Sequence, residues 1–294
     1  RLASLERPEL TANLIGVAEE TTSGVRAFQQ MQEAGALTYP VVAVNDSVLK
    51  TGFDNAHGTG ETCVTTMQRI LGEHAFDGKN VTVIGYGPVG QGFARRIRAL
   101  GAEVTICDID PVASLKAVFD GFAAQDIDEA LPCADMVVSA TGVRHTVTPE
   151  HMRAMHEGAA LAVIGGIANE IALDEVSDFT PQVNRDTVQL NVPDGPTLTL
   201  IADGDGVNYT VGGGNPIEIM DLSFAVQASA VAYLLEHRGT LDHTLIRLDA
   251  ATDQRIAASA LKARGYRASH AVEDNGYNWR LTRFAENDRE NADR

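Results

Sequence analysis

The chain has 294 residues, 44% of them hydrophobic, and a formal net charge of −17; that length predicts about two domains, and the acidity excludes a phosphate-backbone partner such as nucleic acid. No apolar run approaches the ~18 residues of a membrane span, so no membrane partner is expected. Three cysteines, Cys63, Cys107 and Cys133, form no C-x-x-C pair, which fits a reducing compartment and predicts a cytoplasmic protein.

Residues 1–16 read as a loop with partial helix, opening at Arg1 in a polar stretch, and the chain is expected to be part of a longer protein. Glu19-Glu20-Thr21-Thr22-Ser23-Gly24 is a polar cluster ahead of Val25, Phe28 and Met31, which recur at helical spacing; Thr22 or Ser23 is the expected cap. Residues 41–44 read as a strand, followed by Asn45-Asp46-Ser47, Lys50 and Phe53-Asp54-Asn55-Ala56-His57-Gly58. Residues 61–71 predict a helix closing at Gly72.

The most informative stretch is 81–108. Val81, Val83 and Ile84 read as a buried strand, Gly85-Tyr86-Gly87-Pro88-Val89-Gly90 as a G-x-G-x-x-G turn, and Phe93, Ile97 and Leu100 as the apolar face of a helix stopped by Gly101. Val104 and Ile106 begin a second strand that Asp108 ends. In such a unit the first glycine makes the tight turn, the second lets backbone approach a pyrophosphate, and the third packs helix on strand. The helix N-terminus offers free N–H groups to phosphates. Asp108, 23 positions after Gly85, can accept both ribose hydroxyls and would repel an added 2′-phosphate, which predicts NAD rather than NADP.

Beyond Asp108, helices are predicted over 111–117, 128–131 and 149–155, and strands over 136–140, 161–164 and 198–202. This alternation predicts a parallel doubly wound sheet, with ligands beyond the carboxyl ends of its strands. Thr141-Gly142 and Gly165-Gly166 fall there. Residues 208–216 read as a glycine-rich loop, 218–235 as one long helix, and 240–267 as a further helix and strand. His57, His74, His145 and His156 have no metal-ligand spacing, and no metal is expected.

From about Gly16 to Glu236 the chain resembles S-adenosylhomocysteine hydrolases. The resemblance rests on Glu19-Glu20-Thr21-Thr22-Ser23-Gly24, Val44-Asn45-Asp46-Ser47, Lys50, Phe53-Asp54-Asn55, the glycine turn, Ile109-Asp110-Pro111, Val207-Asn208 and Ser223-Phe224. It implies an α/β fold in which a Rossmann NAD domain is inserted in a partial substrate domain. The implied division is 1–56 as part of the substrate domain, 57–207 as the NAD domain, 208–238 as the return to the substrate domain, and 239–294 as an oligomerisation segment of a homodimer or homotetramer. The implied chemistry is redox-neutral: 3′-oxidation of an adenine nucleoside, 4′-proton abstraction, 5′-elimination or addition, and re-reduction. Residue by residue, the resemblance puts Thr21, Thr22, Ser23, Gly85, Gly87, Val89, Gly90 and Asp108 on NAD, and Thr141, Ile164, Gly165 and Asn208 around its nicotinamide. Glu20 and Asp54 hold the ribose hydroxyls, Lys50 transfers the proton at the oxidised carbon, and Asn55 holds Lys50 and touches the nicotinamide end.

The chain also departs from the family pattern. The family's N-terminal substrate region has no counterpart in it. Gly166 and Asn215 stand where the family has histidines, and Thr59 where it has a cysteine. The family's lysine- and tyrosine-bearing tail is not recognisable around Asn278-Trp279-Arg280. The cofactor half is kept while the surroundings of the 5′ substituent change. The alternatives are therefore a diverged nucleoside dehydratase or epimerase of a nucleoside-antibiotic pathway (angustmycin type), and a non-catalytic NAD-binding regulatory homologue.

Overall fold

Strand β1 (Val17–Glu19) leads into helix α1 (Thr22–Glu33), whose cap is Thr21 rather than Thr22 or Ser23. Thr21 Oγ1 accepts from the Gly24 N–H at 3.0 Å, while Glu19 Oε1 accepts from both the N–H and the hydroxyl of Thr21. The computed structural model describes residues 13–167, 169–177, 179–180 and 185–269; the expected loop and partial helix before residue 13 and the stretch Asn278-Trp279-Arg280 lie outside them.

Strand β2 (Val41–Ala43) is fully buried and pairs in parallel with β1. Ser47 then caps a single helical turn, Val48–Lys50, its Oγ accepting from Leu49 N at 3.1 Å. The chain continues as a π-helix, Thr51–Thr59, before α2 (Gly60–Leu71) closes at Gly72 with φ 105°. Periodicity does not reveal a π-helix, which is rare and recurs at functional sites.

The elements then run β3 (Asn80–Ile84), α3 (Pro88–Ala99), β4 (Glu103–Cys107), α4 (Pro111–Phe119), β5 (Ala123–Ala124), α5 (Ile127–Ala130), β6 (Met136–Ser139), α6 (Pro149–Ala154), β7 (Ala160–Val163), β8 (Thr187–Asn191) and β9 (Thr197–Ile201), with the short β5 and β8 added to the expected strands. They build a seven-stranded sheet in the order β5-β4-β3-β6-β7-β9-β8. Every pairing is parallel except that of β8 with β9. Strand β8 is not among the strands expected from sequence. Its burial alternates as an edge strand's does, and Pro193-Asp194-Gly195 turns it directly into β9, with Asp194 at φ 57°. One face of the sheet packs on Met67, Phe76, Phe93 and Ile97, the other on Leu131, Met152, Ile171 and Leu173, so the central strands are apolar on both sides.

The chain then forms α7 (Val207–Thr210), a turn of helix inside the predicted loop, the long α8 (Ile217–Glu236), β10 (Leu245–Ile246) and α9 (Ala250–Ala263). Strand β10 pairs with β2 to complete a small sheet, β1-β2-β10. The large sheet is thus inserted in sequence between strands of the small one. The chain divides into a compact unit ending at Ile256 and a second beginning at Ala257, in which the Tyr266 N–H closes α9 on Leu261 O at 2.9 Å.

Two packing contacts hold the π-helix and α8 in place. The π-helix lies against α3, and a Cβ at Gly92 would stand 1.8 Å from Ala56 O. Helix α8 buries Leu222, Ser223, Val226, Ala230 and Leu234 and packs on β1 and the π-helix. By length and composition α8 is the one helix among the described residues able to cross a membrane, with a window of mean hydropathy 1.3. This corrects the expectation that no stretch would qualify. Single charges at Glu218, Asp221 and Glu236 interrupt the apolar run without lowering its average below that of a span.

Candidate functional site

The glycine turn is built from backbone. Gly85 has φ 95°, a conformation closed to most side chains. A Cβ at Gly90 would meet Gly85 O at 2.0 Å, so α3 starts against the strand end only because residue 90 is glycine. Gly87 faces open space and, as the N-cap of α3, offers no side chain to its free N–H groups; Pro88 and Val89 begin the helix. Such a cradle fits a diphosphate. Asp108 comes directly after β4, with Oδ2 accepting from Tyr86 N at 2.6 Å and Oδ1 from Asp110 N at 2.8 Å. Both bonds fix its carboxylate at the rim of the turn.

Across the sheet's switch point lies Thr141, at the end of β6. A Cβ on Gly85 would touch Thr141 Cγ2 at 3.0 Å, so the two strand ends meet. Ile164 is buried, and Gly165 comes next at the end of β7. The group that ties these ends together, Glu170, is not among the residues expected from sequence. It is fully buried, and its Oε2 accepts from Ser139 Oγ (2.6 Å), Thr141 N (3.0 Å) and Thr141 Oγ1 (3.1 Å), while Oε1 has no partner. Burial raises its pKa above the usual carboxylate range, and the donors on Oε2 oppose the rise. The carboxylate lies so close over Gly165 that a side chain there would collide with it. Its only local signal is an acid four residues beyond a Gly-Gly strand end.

The second group of predicted residues gathers around one ammonium. Lys50 is 5% exposed, as is Asp54. Lys50 Nζ donates to Asn55 Oδ1 at 2.7 Å and lies 3.1 Å from Asp54 Oδ2 and 3.4 Å from Glu20 Oε1. Asn55 Oδ1 thus accepts a hydrogen bond from the ammonium, while Glu20 Oε1 pairs with it by charge and has no hydrogen-bond partner. The turn Val48–Lys50 and the π-helix put Lys50, Asp54 and Asn55 on one side, and the β1–α1 connection brings Glu20 to them. Burial raises the Glu20 pKa; Lys50 lowers it and Asp54 raises it. Two carboxylates thus share one ammonium.

Thr21, Thr22 and Ser23 stand at the start of α1, with Thr22 Oγ1 donating to Asn45 Oδ1 at 2.9 Å. From the same helix Arg26 Nη1 reaches Thr141 O at 3.4 Å, which joins the small-sheet side to the end of β6. Asn208, in α7, donates through Nδ2 to Asn215 Oδ1 at 3.0 Å, and Asn215 Nδ2 in turn donates to Asp54 Oδ1. The two predicted groups are therefore bridged by Asn215, a residue that sequence marks only as a departure from the family pattern.

A doubly wound sheet with a glycine cradle, an acidic strand end and a buried lysine–carboxylate cluster defines a dinucleotide-binding α/β protein with polar side chains poised beside the cofactor crevice. The family described as "S-adenosyl-L-homocysteine hydrolase, NAD binding domain" matches residues 55–214. The adenosylhomocysteinase of Thermotoga maritima is 38% identical over 275 residues, 92% of this chain and 68% of that one. The adenosylhomocysteinase of Aeropyrum pernix is 39% identical over 88% of this chain and 63% of its own. The S-inosyl-L-homocysteine hydrolase of Methanopyrus kandleri is 37% identical over 88% of this chain and 62% of its own. Among solved structures, a glyoxylate reductase from Paecilomyes thermophila is 16% identical over 71% of this chain and 69% of that one, with a TM-score of 0.44. The chain belongs to the S-adenosyl-L-homocysteine hydrolase family and carries its NAD-binding domain. It spans about two thirds of the length of these relatives.

Proposed function

We propose that this chain forms the cofactor-binding and lysine-bearing part of a redox-neutral enzyme acting on the ribose of an adenine nucleoside, with S-adenosylhomocysteine or a relative as substrate. The observation that carries the reading is the buried Lys50 Nζ ringed by Asn55, Asp54 and Glu20. Residues 57–207 hold most of the cofactor, with Gly85, Gly87, Val89 and Gly90 at the diphosphate, Asp108 at the adenosine ribose, and Thr141, Ile164 and Gly165 at the nicotinamide end; Asn55 and Asn208 from just outside that range join the nicotinamide end, and Thr21, Thr22 and Ser23 reach in from α1. NAD, when bound there, supplies reversible oxidation of the 3′-hydroxyl.

The chain's own part is binding and proton transfer. Asp54 and Glu20 accept the ribose hydroxyls and hold the 3′-carbon still. Lys50 Nζ, oriented by Asn55, first gives a proton to a neighbouring carboxylate and then, as the neutral amine, takes the proton that leaves the 3′-oxygen, the two transfers reversing at the end of the cycle. Glu20, with its raised pKa, stores a proton beside Lys50 between those steps. Once carbon 3′ is a ketone the 4′ proton becomes acidic; a base takes it, the 5′ substituent leaves with its bonding pair to give an enone, and water can add to that enone.

A second reading has an observation of its own. Gly166 faces open space and Asn215 is committed to Asp54, so neither brings an acid or base to the 5′ side. That favours a diverged nucleoside dehydratase or epimerase using the same ribose chemistry. Product mass separates the readings. Full-length protein is incubated with S-adenosylhomocysteine, S-inosylhomocysteine and adenosine. Homocysteine release supports the hydrolase, a product lighter by one water supports the dehydratase, an isomer of unchanged mass but altered chromatographic retention supports the epimerase, and nucleosides recovered unchanged in both mass and retention overturn both readings.

We also propose self-association through α8. Ile217, Phe224, Val231 and Leu235 are exposed on it at close to heptad spacing, an apolar stripe suited to a second helix. Light scattering on the wild type and on Val231→Glu should give an oligomer and a smaller species respectively.

A further inference from the structure

Asn215 sits between the two halves of the site, immediately before Pro216, the N-cap residue of α8. Its amide is used at both ends. Nδ2 donates to Asp54 Oδ1 and to Thr59 Oγ1 at 3.2 Å; Oδ1 accepts from Thr62 Oγ1 at 3.2 Å and from Asn208 Nδ2 at 3.0 Å. A neutral imidazole has one donor and one acceptor, and a carboxylate has no donor, so this set of partners selects an amide. The surroundings are shaped to it. A Cβ on Gly58 would stand 2.8 Å from Asn215 Nδ2, and Thr59 and Thr62 present hydroxyls one helical turn apart. Thr59 and Asn215 both depart from the family pattern, and they are hydrogen-bonded to each other.

We propose that Asn215 is a positioning residue that locks the Asp54 carboxylate against Lys50 and couples it to Asn208 on the Rossmann side, with Thr59 and Thr62 holding the lock. This rests on the proposed roles of Lys50 and Asp54. One Asp54 oxygen is pinned by Asn215 and the other lies 3.1 Å from Lys50 Nζ, so the carboxylate has a single orientation before any ribose arrives. The polar chain Lys50–Asp54–Asn215–Asn208 runs from the proton-transferring amine to the nicotinamide end. A change at Asn215 therefore alters how the ribose and the cofactor face each other without removing a group that touches either.

The test has two arms, both on the full-length, NAD-loaded protein. In the first, lysines are acylated with a small amine-reactive reagent and each site is monitored by peptide mass. Lys50 should label slowly in the wild type and roughly tenfold faster in Asn215→Ala, because a freed Asp54 no longer holds the ammonium in place. The half-exposed Lys79 and Lys116 should be unchanged. Asn215→Asp, which keeps the acceptors but loses the donor to Asp54, should behave like Asn215→Ala, and Thr59→Val should show a smaller rise. Equal Lys50 labelling in the wild type and both Asn215 variants overturns the proposal. Should Asn215→Ala fail to fold, Thr59→Val reads the same contact.

In the second arm, formation of reduced cofactor on adding adenosine should slow about tenfold in kcat for Asn215→Ala, as misorientation of bound reactants does, with KM changed less and NAD content equal to wild type. A fall confined to NAD content or to thermal stability would make Asn215 merely structural. A wild type that reduces no cofactor with any nucleoside overturns the proposed function, and the labelling arm still judges the lock.

Discussion

The glycine cradle and the lysine cluster are built in opposite ways. The cradle spans residues 84 to 108 and consists of backbone: a left-handed glycine, an uncapped helix start, and one carboxylate tied to two N–H groups. The cluster draws on Glu20, Lys50, Asp54, Asn55 and Asn215, whose contacts cross as many as 161 positions, and it consists of side chains. A backbone site depends on local dihedral freedom, so its sequence is confined to glycines at fixed spacing. A side-chain site depends on how distant segments pack, and local sequence does not carry that information. The two are joined where the π-helix presses on α3, with Gly92 against Ala56 O.

The sharpest way to separate the regions is to remove the amine. Lys50→Met should lower turnover by about a hundredfold or more, the size of a lost proton-transfer group, and leave the NAD recovered per chain unchanged. A parallel loss of NAD would mean that cluster and cradle are one site energetically.

Gly92→Ala strikes the joint between them. The added Cβ meets backbone rather than a yielding side chain, and denaturant unfolding should show a loss of about 3 kcal/mol, at the upper end of ordinary overpacking. A variant as stable as wild type would show that the π-helix can lift off α3 freely.

A smaller effect belongs to Glu170. Glu170→Ala leaves Ser139 Oγ and Thr141 N without their acceptor and should cost about 2 kcal/mol. The pH dependence has a definite sign. The folded-state pKa is raised by burial, so the folded protein holds the proton more tightly than the unfolded chain does. Its contribution is complete below the ordinary glutamate carboxyl value of 4.5 and is lost as pH rises through the raised folded value. Wild-type stability minus that of Glu170→Gln should therefore fall as pH increases across that window. A difference that grows with pH would reverse the assignment.

The smallest effect needs no mutation. Burial pushes the thiols of Cys63 and Cys107 up to about 12, whereas Cys133 is exposed. A maleimide should label one cysteine in the native state and leave stability unchanged; rapid labelling of Cys63 would show that α2 opens readily.

Legibility in the sequence divides the same way. The alternation of strands and helices, the cradle and Asp108 were legible because each is a local pattern. Strand β8 was not, because its alternation is short and its partner is reached through a turn rather than a crossover. The π-helix was not, because its apolar positions keep no helical period. Glu20, Lys50, Asp54 and Asn55 were singled out by resemblance, and nothing in their spacing placed Glu20 beside Lys50. Glu170 and the bridging role of Asn215 escaped because a buried polar residue is recognised only by its partners. Asn215 finds Asp54, Thr59, Thr62 and Asn208 once α7 and α8 have packed against the π-helix.

The central claim is that a cradle for NAD and a lysine cluster for ribose act together. It is tested most directly by the oxidation state of the cofactor the protein carries. Full-length protein, as purified and after incubation with adenosine, is denatured, and released NAD and NADH are measured against protein concentration. NAD is expected in the resting protein, with a substantial fraction recovered as NADH after adenosine, and that NADH should be lost in Lys50→Met. Cofactor that stays oxidised with every nucleoside offered would contradict the claim and leave an NAD-binding protein without turnover.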